Sequence, residues 1–152
     1  MTYASSASSR TYVPAVGDSL PRDDIARLLL RVTLGFLILL HGIAKLSGGL
    51  DFVVHSVGQA GLLPALAYLV YAGEIVAPLL LIAGVWTRPA ALVVALNMVV
   101  AMLLVHSGQF TTLAPTGGWA LELQAMYLMM ALAVALLGAG RFGLGLEDRR
   151  WN

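Results

Sequence analysis

The stretch Ile25–Leu46, IARLLLRVTLGFLILLHGIAKL, decides the fold. It has the length of ~20 residues that a helix needs to cross a bilayer core of about 30 Å. It does not alternate with the period of two that a strand requires, and lipid demands a segment that bonds its own backbone. Yet the run carries Arg27, Arg31, His41 and Lys45 among Leu, Ile and Phe. At about 100° per residue these four fall within an arc of about 80°. They form a polar stripe on one face of an apolar helix, and that face turns toward other helices rather than lipid.

Three further runs follow. Ala65–Trp86 holds one charge, Glu74; Pro89–Val105 holds none and is preceded by Arg88; Trp119–Ala139 holds only Glu122. The whole chain of 152 residues is 59% hydrophobic and 11% charged, against the ~25% charge of soluble domains. There is too little polar surface to cover a water-soluble globule. A net charge of +1 excludes electrostatic nucleic-acid binding. The absence of cysteine excludes disulfide frameworks, thiolate metal sites, iron–sulfur clusters and dithiol relays built from this chain's own side chains. The sequence therefore predicts an all-α integral membrane four-helix bundle, with helices at about 25–46, 65–86, 89–105 and 119–139.

Positive charge sets the expected orientation. Arg10, Arg22 and Arg27 precede or open the first run, Arg88 separates the second and third, and Arg141, Arg149 and Arg150 follow the fourth. The other two connections, Ser47–Pro64 and His106–Gly118, contain no Lys or Arg. By the positive-inside rule both termini are cytoplasmic and these two loops face outward, in the cell inner membrane. Residues 1–24 are polar, rich in Ser and Ala, and lack a signal-peptide core; they read as a cytoplasmic tail.

Depth follows from a rise of about 1.5 Å per residue. His41 and Lys45 lie near the outer end of the first helix. Glu74 lies roughly 13 Å inside the outer start of the second helix, Asn97 at a similar depth on the third, and Glu122 about one turn inside the outer end of the fourth. Five polar groups from four helices thus gather in the outer half, with His55 and His106 on or beside the loops above. An ionisable group in the membrane is by default a functional candidate. The structural alternative is that a buried Lys–Glu pair simply holds the bundle together while Arg27 snorkels to the inner surface. The outer loops read as re-entrant or lid-like segments able to roof the cluster.

Several signals carry less. Gly138–Gly143 spells G-x-G-x-x-G but follows a membrane helix instead of a strand, so it reads as helix-ending punctuation. His41 and His106 have the placement to bridge a b-type haem, but nothing else singles them out, and haem and metal are set aside. Ala131, Ala135 and Ala139 form a small-xxx-small face suited to close helix packing, and Met126, Met129 and Met130 read as packing or lipid-facing residues.

The residues Arg27-Leu-Leu-Leu-Arg31, Gly35 and His41-Gly42-Ile43-Ala44-Lys45-Leu46 resemble the first helix of DoxX-type membrane proteins. The likeness continues through Gly61-Leu62-Leu63-Pro64, Glu74, Leu81–Arg88 (LIAGVWTR) and Gly138–Leu144 (GAGRFGL), over about residues 27–146. The resemblance implies a four-helix inner-membrane domain at 25–146, followed by a cytoplasmic tail at 147–152. It also implies a link to membrane redox chemistry, whose members are associated with quinol oxidation, thiosulfate:quinone oxidoreduction, or quinone and catechol stress.

Three functions compete. In a quinone-linked redox component, Glu74 and His41 exchange protons with the ring, and Lys45, Asn97, Arg31 and Glu122 bind or polarise it. The electron donor is then a membrane-protein partner or the substrate itself. In an accessory subunit, the polar stripe satisfies itself or a partner helix. In a small transporter, four helices per protomer require a homo-oligomer.

Overall fold

The computed structural model of the chain describes residues 21–145 and Trp151. Helix α1 spans Pro21–Gly48, 28 residues, or about 42 Å. It starts four residues before the apolar run because Pro21 suits a first turn and Asp23 and Asp24 complement the helix dipole there, with Lys45 at the other end. The expected tail at 1–24 therefore loses its last turn to α1, and the remainder of it, like 147–152 apart from Trp151, lies outside the described residues. The connection Ser47–Pro64, one of the two expected to be re-entrant or lid-like, contains a short helix, α2 (Asp51–Gln59), anchored by buried Leu50 and Val57.

The second run departs most from expectation. It is a tight 3-10 turn at Pro64–Leu69, then a π-helical turn at Ala72–Val76, then α3 at Ala77–Ala83. Pro78 supplies a physical reason: it has no N–H, and its ring is forced against the carbonyl of the residue four places back, which is Glu74. Widening the turn relieves the clash and releases that carbonyl, which faces Gly42 of α1. A left-handed Gly84 (φ +70°) closes α3, and a left-handed Trp86 leads into α4 (Thr87–Leu104). A loop containing a 3-10 turn at Ser107–Gln109 and a single bridge between Leu113 and Trp119 leads to α5 (Glu122–Leu137).

The described chain is helical, and three of its helical runs, Arg22–Gly48, Pro64–Ala83 and Thr87–Leu104, are long and apolar enough to cross a membrane. α5, at 16 residues, is apolar but shorter, because the chain before Glu122 is held in turns. α1 packs on α3 and α5, and α4 packs on the same two. The second run and α5 therefore stand diagonally across the bundle. Leu34, Ile38, Leu81, Val94, Ala131 and Val134 fill its middle, while Phe36, Leu40, Leu96, Leu103 and Leu136 point outward and are exposed. Such a surface is costly in water and suited to lipid. Ala131 and Ala139 are wholly buried within the bundle, so the small-residue face is consumed inside the chain.

At the end of the bundle away from Lys45 the chain is tied by polar side chains. Arg31, 1% exposed, donates to the carbonyls of Leu81, Ile82 and Phe142, each at 2.7 Å. Arg27 donates to the Leu137 carbonyl at 2.9 Å, and buried Asp24 accepts the Arg141 backbone N–H at 3.1 Å. The Gly138–Gly143 segment is the strand of chain these groups hold, its backbone passing through left-handed turns at Gly138 and Gly140.

Candidate functional site

The π-helical turn carries Glu74 into the bundle, where it is 5% exposed. Lys45 Nζ donates to Glu74 Oε2 at 2.5 Å, and Asn97 Nδ2 donates to Glu74 Oε1 at 3.4 Å. Both carboxylate oxygens are thus engaged, one by a cation and one, weakly, by an amide. Two glycines make this approach possible. A Cβ at Gly42 would strike the Glu74 carbonyl oxygen and come within 2.7 Å of Ile75 Cγ1, and one at Gly73 would come within 2.6 Å of Asn97 Cβ. Nothing larger than glycine lets α1, the π turn and α4 close around the carboxylate.

The pair is not sealed. The Lys45 side chain is 29% exposed and forms, with Glu74, the inner wall of a cleft of about 140 Å³ that is open on one side. Ile38, Met98, Ala101 and Leu123 supply apolar walls, and His41, His106, Gln124 and Tyr127 line the rest. The His41 and Tyr127 rings meet edge to face, centroids 6.0 Å apart. At the rim, Gln124 Nε2 lies 3.3 Å from His106 Nε2, and His106 Nδ1 lies 3.2 Å from Gln109 Oε1. Donation from Gln124 leaves the proton of His106 on Nδ1, directed at Gln109.

Chemically, the site offers a donor (Lys45), an acceptor able to take a proton (Glu74), an imidazole (His41) and a phenol (Tyr127) around an apolar slot. A cavity of about 150 Å³ lined by apolar side chains is known to hold benzene, so this cleft has the volume of a single six-membered ring. It does not have that of a porphyrin, and both ring nitrogens of His106 are already engaged; the residues do not fit a haem bridged between His41 and His106. Among the described residues no group of three or more His, Asp and Glu side chains is arranged to hold a metal ion.

The structure brings together four of the residues singled out from sequence: Glu74, Lys45, Asn97 and His41. It places two elsewhere. Arg31 shares the face of Lys45 but lies fourteen residues away, about 21 Å along the helix, and its guanidinium is occupied by backbone carbonyls. Glu122 is exposed in the first turn of α5, its carboxylate folded back over Gly118. His55 pairs with Gln59 on α2 and is not among the cleft residues. Of the two connections expected to face outward, only the one beginning at His106 supplies a cleft residue. Sequence reasoning missed Tyr127 and Gln124; the available signal was two polar side chains three residues apart, hence on one face, of the otherwise apolar α5.

Fold and site define a small helical membrane protein with a buried carboxylate–ammonium pair at an open cleft. Residues 26–107, more than half of the chain, match the DoxX family profile, and the chain belongs to the DoxX family. It is 30% identical over 116 residues to the protein named "Putative oxidoreductase CatD" of Bacillus subtilis, covering 76% of this chain and 81% of that one. It is 34% identical over 120 residues to an uncharacterized protein of Haemophilus influenzae, covering 76% and 84%. No solved structure matches. The matched stretch contains Arg31, His41, Lys45, Glu74 and Asn97; Tyr127 lies beyond it.

Proposed function

We propose that the protein is a quinone-linked component of a redox system in the bacterial inner membrane, and that the outer cleft receives the ring of a quinone or quinol. The carrying observation is the Lys45–Glu74–Asn97 constellation exposed to a slot of one ring's volume. A quinone needs a donor for its carbonyl oxygen, and a quinol needs an acceptor for its hydroxyl. Lys45 can only donate and ionised Glu74 can only accept, so the pair serves both redox forms of the ring. As two electrons enter or leave the ring, Glu74 takes or gives one ring proton and His41, nearer the outer surface, the other, each exchanging in turn with water. The electrons pass to or from a partner protein. The naming of the Bacillus subtilis relative as an oxidoreductase agrees with this reading.

In the membrane, α5 with the turns that precede it forms a fourth span, and the arginines of the α1 start, Arg88 and Arg141 lie on the cytoplasmic side. The cleft then faces outward, away from the arginine-rich end.

The test is a titration of the detergent-solubilised protein with hydroquinone under argon. The expected result is saturable binding by the wild type and a tenfold or greater weakening in Glu74→Gln. Wild-type protein that is folded yet shows no saturable binding contradicts the proposal.

A further inference from the structure

Tyr127 is 8% exposed, lies in the core of the bundle, and presents its phenol to the cleft. Its hydroxyl makes no hydrogen bond with the other described residues. The hydroxyl is not among the buried polar atoms that lack a partner, so it is open to water in the cleft and free to be taken by a ligand that displaces that water. Its ring is fixed by the core on one side and by the edge contact with His41 on the other, so the hydroxyl has a defined aim. α5 stands diagonally opposite the run that carries Glu74, with α1 and α4 between them as side walls. The cleft therefore receives polar side chains from facing elements, the Lys45–Glu74 pair on one side and Tyr127 on the other, together with apolar Ile38 and Met98.

We infer that Tyr127 is a second anchor and sets the substrate class: a ring bearing oxygen at two opposite positions, one held by Lys45 and Glu74 and the other by the Tyr127 hydroxyl. This rests on the quinone reading of the cleft and adds to it a specificity determinant outside the stretch that matches the family profile. One pole alone leaves a flat ring free to pivot in the slot. A second pole fixes it and rejects a ring that lacks the far oxygen, because such a ring would displace water from the phenol and leave it unpaired. A phenol both donates and accepts, so Tyr127, like the pair opposite, suits the carbonyl and the hydroxyl form of the ring without rearrangement.

The test compares hydroquinone with phenol, a ring of the same shape lacking one oxygen, by titration under argon of full-length wild-type, Tyr127→Phe and Glu74→Gln protein. Partition of each compound into detergent is the same for every variant and cancels in the comparison. Tyr127→Phe keeps the ring, the packing and the His41 contact, and circular dichroism with an unfolding temperature close to that of the wild type confirms its fold. The expected result is a preference of about tenfold for hydroquinone in the wild type, which is one hydrogen bond of about 1.4 kcal/mol. That preference disappears in Tyr127→Phe, while Glu74→Gln weakens both compounds. A Tyr127→Phe protein that retains the preference overturns the role of Tyr127 and leaves the quinone reading intact. A wild type that binds neither compound overturns both.

Discussion

Lys45 and Glu74 meet at 2.5 Å across the gap between α1 and the π-helical turn, where α1 presents Gly42 to the backbone of Glu74. Three sequence features converge on this contact. Pro78 widens the turn that carries Glu74, Gly42 admits it, and Gly73 lets Asn97 approach from α4. A carboxylate in the hydrophobic interior of a bundle is tolerable only when paired and hydrogen-bonded, and this arrangement supplies both while leaving the pair reachable from the cleft.

Removing one partner of the pair is expected to be worse than removing both. Glu74→Gln leaves the Lys45 ammonium half-buried without its counter-charge and is expected to lower stability by about 2 kcal/mol. Replacing both, as Lys45→Met with Glu74→Met, is expected to recover most of that loss, since apolar residues of similar volume fill such sites well. Unfolding in detergent measures stability, and hydroquinone titration shows that the double variant, though stable, no longer binds.

Gly42→Ala tests the close approach itself. The added methyl collides with the backbone of Glu74 and with Ile75, so α1 and the π turn must separate. The expected loss is about 1–3 kcal/mol, in the range of core overpacking, accompanied by weaker ligand binding because the Lys45–Glu74 contact lengthens. Gly48→Ala, where a Cβ meets open space, serves as the control and is expected to be neutral.

How much of this was legible beforehand differs from residue to residue. The helical runs were, because uninterrupted apolar length has few other readings. The shared depth of Glu74 and Asn97 followed from counting rise per residue, and their contact agrees with it. The broken second run was not legible: Pro78 was visible, but whether a proline kinks, widens or ends a helix depends on what lies beside the freed carbonyl, here Gly42 of another helix. Arg31 was grouped with Lys45 because angular position fixes a face and not a level along the axis. Tyr127 was passed over because a tyrosine in an apolar helix is ordinary packing until it is seen to line the cleft.

Arg31 yields a prediction that separates architecture from binding. Arg31→Met leaves the Leu81, Ile82 and Phe142 carbonyls without their donor. At about 1–3 kcal/mol for each group left unsatisfied, most of the protein is expected to be lost to misfolding, seen as a fall in monodisperse yield. The fraction that does fold is expected to bind hydroquinone as the wild type does, because the cleft lies at the other end of α1.

Glu122→Gln is expected to change stability by no more than about 0.5 kcal/mol, as for other exposed positions, and to leave hydroquinone affinity unaltered. Titration of this variant beside Glu74→Gln checks that the effect of the latter belongs to its site and not to loss of any acidic group.

The most direct test of the central claim is the native mass of the gently solubilised protein, with identification of every small molecule and protein bound to it, for wild type and Glu74→Gln in parallel. The account predicts a stoichiometric quinone on the wild type that is lost from the variant. A wild type that carries a fixed protein partner and no quinone, unchanged by the substitution, contradicts it and makes the Lys45–Glu74 pair a structural element of a larger complex.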